Sequence, residues 1–275
     1  MKKKSIEEYL KEAINSKTKI TFLVGAGVSA ESGIPTFRGK EGYWKVGSVN
    51  YEPQKIGTYE MFLKQPFEVW KWFLFRNTVC RAAKPNFGHL ALVEIEKMLG
   101  DTFALITQNV DGLHIRAGNT TERMYTIHGD LNYSRCSKEC SEQLYPFPNI
   151  PKQRGEDLTK QEIEMLKCTK CGELLRPHVL WFDEFYNEKY YRANSAMDIA
   201  ENTDVLFIIG TSGSTTLPHR IFKTALLNRA AIVVIDIATN IFMKAIEEDY
   251  EKGYVYREKS SKTLLEIEQM VKSFV

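Results

Sequence analysis

The chain has 275 residues, 43% of them hydrophobic and 26% charged, enough to fold around its own core without disulfides and ordinary for a globular protein. A formal net charge of +2 gives no signature of nucleic-acid or membrane binding. Lys2-Lys3-Lys4 leads into a polar stretch from Ser5 rather than an apolar one, and no apolar run approaches a membrane span, so neither a signal peptide nor a spanning segment is expected.

Taken in chain order, Ser5–Ile14 reads as a helix and Ile20–Val24 as a short buried strand. The strand ends directly in Gly25-Ala26-Gly27-Val28-Ser29-Ala30. Strand, glycine turn and helix in that order open a dinucleotide-binding βαβ unit, because the glycines let the backbone turn sharply and approach a pyrophosphate. Alone, such a turn also occurs wherever a strand meets a helix tightly. An aromatic-rich, mostly helical stretch from Gly42 to Ala83 follows, with a helix over Pro66–Ala82. A helix over Leu90–Leu99 precedes a strand at Phe103–Thr107, and Gln108, Asn109 and Asp111 sit at that strand's C-terminal end. Open α/β sheets place ligands there, although Asn and Asp are also common turn residues. His128 stands before Gly129-Asp130 at a strand end. A lone histidine is commonly a packing or surface residue, yet its ordinary pKa suits a general base.

The five cysteines are Cys80, Cys136, Cys140, Cys168 and Cys171. The odd count and the pairing of four of them argue for a reducing, cytoplasmic compartment and a metal site rather than a disulfide framework. Cys136-x3-Cys140 and Cys168-x2-Cys171 can offer four thiolates to one tetrahedral ion, for which zinc is favoured; the alternative is four unrelated thiols. A closed four-thiolate shell leaves no position for water, so the zinc would be structural. Cys80 reads as a buried apolar residue.

Helices over Glu188–Glu201 and Pro218–Asn228 alternate with strands at Val205–Gly210 and Ala231–Ile235. The alternation predicts an α/β fold, a Rossmann-like doubly wound parallel sheet. Two insertions interrupt it and predict a smaller module made of a structural zinc ribbon and a helical insertion. On this division the large domain spans about 1–42, 84–135 and 174–275, and the small module about 43–83 and 136–173.

The run from Gly25 to Gly39, with Gly33-Ile34-Pro35-Thr36-Phe37-Arg38 at its end, resembles the first signature of the sirtuin family. Thr107-Gln108-Asn109-Val110-Asp111-Gly112-Leu113-His114, Ile127-His128-Gly129-Asp130 and Gly210-Thr211-Ser212 resemble the other signatures in the same order. The cysteine pairs and Arg176-Pro177-His178-Val179-Leu180-Trp181-Phe182 fall where that family has its zinc module and substrate loop, so the resemblance runs from about Ile20 to Thr239.

That resemblance implies an NAD-dependent protein-lysine deacylase that consumes NAD, yielding free lysine, nicotinamide and O-acyl-ADP-ribose, with acyl-lysine proteins as partners. In the family mechanism the acyl oxygen attacks C1′ of the nicotinamide ribose as nicotinamide leaves, and a base, here His128, deprotonates a ribose hydroxyl. The resemblance assigns NAD contacts to Gly25, Ala26, Gly27, Ser29, Ala30, Thr36, Phe37, Arg38, Gln108, Asn109, Asp111, Gly210, Thr211, Ser212 and Asp236. Asp111 and Asn109 would line the nicotinamide pocket, Gln108 would meet the ribose, and Phe37 and Arg38 would lie on a loop covering the cofactor. Val179, Leu180, Trp181 and Phe182 would form one wall of a groove pairing with an extended peptide.

Phe73 and Arg76 stand where desuccinylase-like members carry a Tyr-x-x-Arg pair, three apart on a helix. Arg76 would receive the distal carboxylate of a succinyl or malonyl group, although Phe73 lacks the family's hydroxyl; the plain alternative is a solvated helix residue. Asp183 replaces the family's usual Gly and would either disfavour acidic flanking residues or alter the loop, and Asp236 replaces its usual Asn. The competing activities are an NAD glycohydrolase or ADP-ribosyltransferase using the same pocket, an NAD-sensing module without turnover, and a dehydrogenase sharing the fold.

Overall fold

The computed structural model describes residues 4–36, 44–46 and 49–275. Helix α1 (Ile6–Ser16) leads into β1 (Lys19–Val24), and the short α2 (Ala26–Ala30) follows at once. An antiparallel pair, β2 (Trp44–Val46) and β3 (Val49–Tyr51), precedes α3 (Pro53–Ile56), α4 (Tyr59–Lys64) and α5 (Pro66–Ala82). Helix α6 (Phe87–Leu99) and β4 (Phe103–Thr107) come next, then α7 (Leu113–Ala117) and β5 (Met124–Thr126). The cysteine-bearing stretch holds β6 (Gly129–Cys136), β7 (Leu144–Pro146), α8 (Lys160–Met165) and β8 (Leu175–Val179). The chain ends in α9 (Glu188–Tyr191), α10 (Ala193–Glu201), β9 (Thr203–Ile209), α11 (Thr216–Leu227), β10 (Ala231–Ile235), α12 (Ile241–Asp249), β11 (Gly253–Tyr256) and α13 (Ser260–Lys272).

Six strands pair in the order β11-β10-β9-β1-β4-β5, every pairing parallel. Strand residues alternate between two buried faces. Phe22, Val24, Phe207, Ile209, Val233 and Ile235 meet α1, α6 and α13, whereas Leu23, Ile106, Leu206, Ile208 and Val234 meet α10, α11 and α12. Burial on both sides explains the continuous apolar runs, each such side chain contributing roughly 1.5–3 kcal/mol. Phe22 stacks on Phe207 at 4.8 Å between ring centroids and on Phe103 at 5.3 Å.

A second core joins α3–α5 to the cysteine-bearing stretch. Ile56, Phe62, Trp70, Leu74, Phe147, Leu166, Leu175 and Trp181 share it. Its sheet is antiparallel, in the order β7-β6-β8.

Local chemistry sets the element ends. Ser5 and Glu8 form a capping box on α1, and Asn86 accepts from the amides of Gly88 and His89, starting α6 three residues before the expected Leu90. The single helix expected over Glu188–Glu201 is broken at Arg192, whose φ is 48°. Its guanidinium donates to the carbonyls of Thr121 and Met124 and lies 4.2 Å from the Tyr125 ring centroid, while Glu188 caps α10 through the amides of Asn194 and Ser195. These contacts outweigh helix propensity at one residue.

Strand order reverses around β1, where the turns after β1 and β9 meet. The Gly27 amide donates to the Gly210 carbonyl at 2.8 Å, and the Gly25 amide to the Ile209 carbonyl at 2.9 Å. A Cβ on Gly27 would lie 2.6 Å from Gly210 Cα, and one on Gly210, whose φ is +58°, 2.7 Å from Gly27 Cα. Backbone against backbone cannot yield, so both positions require glycine. Gly210→Ala should cost about 2–4 kcal/mol, combining left-handed strain with overpacking. Urea unfolding measures it; an alanine variant as stable as the parent would mean that the two turns do not touch.

Candidate active site

The C-terminal ends of β1, β4 and β9 carry the glycine turn, Gln108–Asp111 and Gly210–Ser212, the place where an open α/β sheet binds ligands. Asn109 Nδ2 donates to the Gly25 carbonyl at 3.0 Å and to Ser29 Oγ at 3.1 Å. Ser29 Oγ donates to Asp111 Oδ2 at 2.7 Å, and Asp111 Oδ1 accepts the Leu113 amide at 2.8 Å. Ser29 and Asp111 are buried, so these bonds compensate the loss of water. Gln108 Nε2 donates to Thr211 Oγ1 at 2.9 Å, and Thr215 Oγ1 lies 3.4 Å from Gln108 Oε1.

His128 stands between β5 and β6, partly buried. Its Nδ1 lies 3.0 Å from the Gln108 carbonyl oxygen and its Nε2 2.9 Å from the Tyr186 hydroxyl. A carbonyl only accepts, so Nδ1 carries the proton and Nε2 keeps its lone pair. Burial lowers the His128 pKa to about 4, against the upward pull of the Gln108 bond, and the ring is a neutral base at pH 7.

Three further histidines are held neutral, among them His114, lowered by burial against the upward pull of Asp111 and Asn119. Burial takes His89 down to about 2, with the neighbouring His114 and Arg116 adding to it. Burial and the nearby Arg135 and Arg176 take His178 to about 4. Asp130 moves the other way, burial raising it to about 6.

The substrate-loop residues divide. Val179 is buried at the end of β8, and Leu180 donates its amide to the His128 carbonyl at 2.9 Å. Trp181 is buried, 5.1 Å from Phe62 and 3.6 Å below the Arg176 guanidinium, while Phe182 is half exposed. Glu184 braces the loop, accepting from Arg176 Nη2 at 2.7 Å and from the Trp181 amide at 3.0 Å. Asp183 caps α4 across the chain, its oxygens accepting the Tyr59 and Glu60 amides at 2.7 and 3.0 Å. Of the two readings left open for it, the loop-shaping one describes its contacts.

Phe73 is buried edge-on against Trp72 at 4.6 Å, and the Arg76 guanidinium lies 5.6 Å from the Trp72 ring centroid. Burial lowers the Arg76 pKa, opposed by Cys80 and Asp111. Arg76 therefore shares an electrostatic neighbourhood with the Asp111 pocket. Asp236 is engaged within its own loop, accepting from the Ala238 amide at 3.1 Å and from Asn240 Nδ2 at 3.4 Å. Gly25, Ala26 and Gly27 lie at the meeting of the two turns, Ser212 bonds to Ser214 at 2.9 Å, and Ala30 and Thr36 lie at the outer end of the glycine segment. Phe37 and Arg38 lie outside the described residues. Sequence reading did not single out Tyr186, Thr215 or His89. Only His89 carries a local signal, its place three residues after the capping Asn86.

The sulfurs of Cys136, Cys140, Cys168 and Cys171 all lie within 4.8 Å of one another, with Cys136–Cys171 at 3.5 Å and Cys140–Cys168 at 3.6 Å. A tetrahedral zinc with bonds of about 2.3 Å needs sulfurs about 3.8 Å apart, so the set fits the ion.

The sequence pattern described as the Sir2 family matches residues 25–216. The NAD-dependent protein deacylase of Leptospira interrogans serovar copenhageni is 36% identical over 249 residues, covering 88% of this chain and 91% of its own length. That of Pyrococcus abyssi is 41% identical over 208 residues, covering 76% and 77%. Among solved structures, a Sir2 homologue in complex with NAD aligns with a TM-score of 0.78 at 32% identity, covering 99% of this chain and 96% of that one. A mutant Sir2 homologue in complex with 2′-O-acetyl-ADP-ribose aligns with a TM-score of 0.76 at 33% identity, covering 97% and 96%.

Two predictions follow from the thiolates and the buried histidines. Purified protein should carry about one zinc per chain, and stripping it with a chelator should lower the Tm by on the order of 10 °C, a structural site contributing several kcal/mol. A metal-free protein that melts at the same temperature would refute the structural role. For the histidines, the unfolded chain gains protons below its ordinary pKa near 6.5, while folded His128 and His178 do so only near 4. Their contribution to stability is whole above pH 6.5 and declines as pH falls through about 4. Asp130 opposes this, favouring the fold at low pH and losing that contribution as pH rises from 3.8 to about 6. With His89 added, the histidines outweigh it, so the urea midpoint should be lower at pH 5 than at pH 7.5; a higher midpoint at pH 5 would contradict the assignment.

Proposed function

The chain belongs to the Sir2 family, and from that membership we propose that it is an NAD-dependent protein-lysine deacylase, transferring the acyl group of a modified lysine to ADP-ribose and releasing nicotinamide. The observation that carries this reading is His128. Its tautomer is fixed by the Gln108 carbonyl, which leaves Nε2 as the basic atom, here accepting from the Tyr186 hydroxyl. NAD, once bound, supplies the leaving nicotinamide and the ribose that accepts the acyl group. The chain's own residues orient it and move one proton.

In this reading the turns at Gly25–Gly27 and Gly210–Ser212 take the pyrophosphate, and Ser29 and Ala30 continue that wall. Asn109 and Asp111, already held by Ser29 and the Leu113 amide, take the carboxamide. Gln108 takes the ribose, Asp236 the far ribose, and Thr36, Phe37 and Arg38 the covering loop. His128 removes the proton of a ribose hydroxyl at Nε2. Leu180 and Phe182 meet an extended acyl-lysine peptide, supported from beneath by Val179 and Trp181. The small module formed by the helical insertion and the zinc ribbon is the second wall of that groove. Cytoplasmic placement rests on the four clustered thiolates, which need a reducing compartment; among the described residues no helix is long and apolar enough to cross a membrane.

The acyl group is read at Arg76. Its place near Asp111, under partial burial, suits a guanidinium that receives the distal carboxylate of a succinyl or malonyl chain, with Phe73 backing the pocket. Peptides carrying acetyl-, malonyl- or succinyl-lysine, turned over with NAD and analysed by mass spectrometry, test the whole reading. The expected result is nicotinamide and O-acyl-ADP-ribose in equal amounts, with His128→Ala about 10²–10⁴-fold slower. Arg76→Ala should lose succinyl turnover about ten-fold or more beyond its loss on acetyl, the worth of a charged hydrogen bond. Free ADP-ribose formed without regard to peptide would make the protein a glycohydrolase, and equal losses on both peptides would remove the carboxylate role.

A further inference from the structure

Nδ1 of His128 is committed to the Gln108 carbonyl, so the ring offers one acceptor, Nε2, and the Tyr186 hydroxyl lies on it at 2.9 Å. With no proton on Nε2, the phenol is the donor. That lone pair is the one a ribose hydroxyl must reach in the proposed reaction, and a single lone pair does not serve two donors at full strength.

The phenol is linked through Thr215 to the side chain assigned to the ribose. Thr215 and the Leu217 backbone face its oxygen. Thr215 also meets the side chain of Gln108, which bonds onward to Thr211. The Tyr186 hydroxyl is thus one hydroxyl removed from Gln108, the group assigned to the ribose.

Its carrier is a short span held at both ends, with the Tyr186 ring partly buried against the core beneath α10–α12. Glu184 is fixed by Arg176 and the Trp181 amide, and Asn187 by capping α9 through the Tyr190 amide. Between these anchors lie Phe185 and Tyr186 alone. Phe185 is 90% exposed, so the segment has solvent on its outer side.

We infer that the Tyr186 hydroxyl is the chain's own stand-in for the ribose hydroxyl, a positioning residue that occupies the lone pair of His128 until the bound co-substrate displaces it. It keeps the imidazole oriented and its base occupied while the pocket is empty, and every ribose that binds must first break this bond. The inference rests on the reading of His128 as the base.

Tyr186→Phe keeps the ring and removes the competing hydroxyl. Isothermal titration with ADP-ribose, which carries the ribose hydroxyls and undergoes no turnover, should show about five-fold tighter binding to Tyr186→Phe than to the wild type, the worth of one ordinary hydrogen bond. The KM for NAD should fall in step. A hydroxyl needed only for structure would give weaker binding on removal, so unchanged or weaker ADP-ribose binding overturns the inference. A double-mutant cycle adds an independent arm: in a His128→Ala background the gain from Tyr186→Phe should vanish, and a gain that persists there also overturns it. Wild-type protein that binds ADP-ribose but releases no nicotinamide with any acyl-lysine peptide would instead defeat the deacylase reading.

Discussion

Two turns pressed together without side chains between them govern the molecule's layout. Gly25 and Gly27 after β1 and Gly210 after β9 approach until a Cβ on any of them would strike backbone. The contact lies where strand order reverses, so the chain leaves β1 toward β4 and β5 on one side and returns to β9, β10 and β11 on the other. A reversal of that kind leaves a crevice at the strand ends. Asn109 then reaches back to the Gly25 carbonyl, Gln108 reaches across to Thr211, and the Gln108 carbonyl sets the tautomer of His128. Asn109 is thus oriented by the backbone of the first turn, Gln108 by a side chain of the second, and His128 through Gln108.

Two separate apolar cores make this economical. The parallel sheet is buried on both faces, while α3–α5 and the cysteine-bearing stretch share a second core rich in aromatic residues. The loop after β8 belongs to both. Trp181 is packed in the second core, and Leu180 donates to the carbonyl of His128 itself. The four-cysteine cluster therefore braces that loop at a distance, through the core it shares with Trp181.

Sequence reading succeeds where one local rule decides. The strands at Phe103–Thr107 and Ala231–Ile235 and the helix Pro66–Ala82 have the bounds their apolar runs and proline imply. The four cysteines cluster as their spacing suggested. It fails where distant partners decide. Strands β6 and β8 hold Arg135 and Arg176 opposite each other, charged residues that look exposed in sequence and are buried against aromatic rings. Arg192 breaks a helix because of carbonyls at Thr121 and Met124. Asp183 finds its amides at Tyr59 and Glu60, more than a hundred positions away. Tyr186 belongs to no recognised run, and only the fold brings it to His128.

Asp183 also ties two distant parts of the chain together. Its carboxylate rivets the loop after β8 to the start of α4, and the Phe182 amide adds a second rivet to the Gly57 carbonyl at 3.0 Å. Loop and helical insertion are thereby tied to each other, and the aspartate's oxygens are engaged by the protein's own amides. Opening a gap between the two would therefore break three backbone-amide hydrogen bonds together, which makes the junction cooperative rather than frayed at its edge.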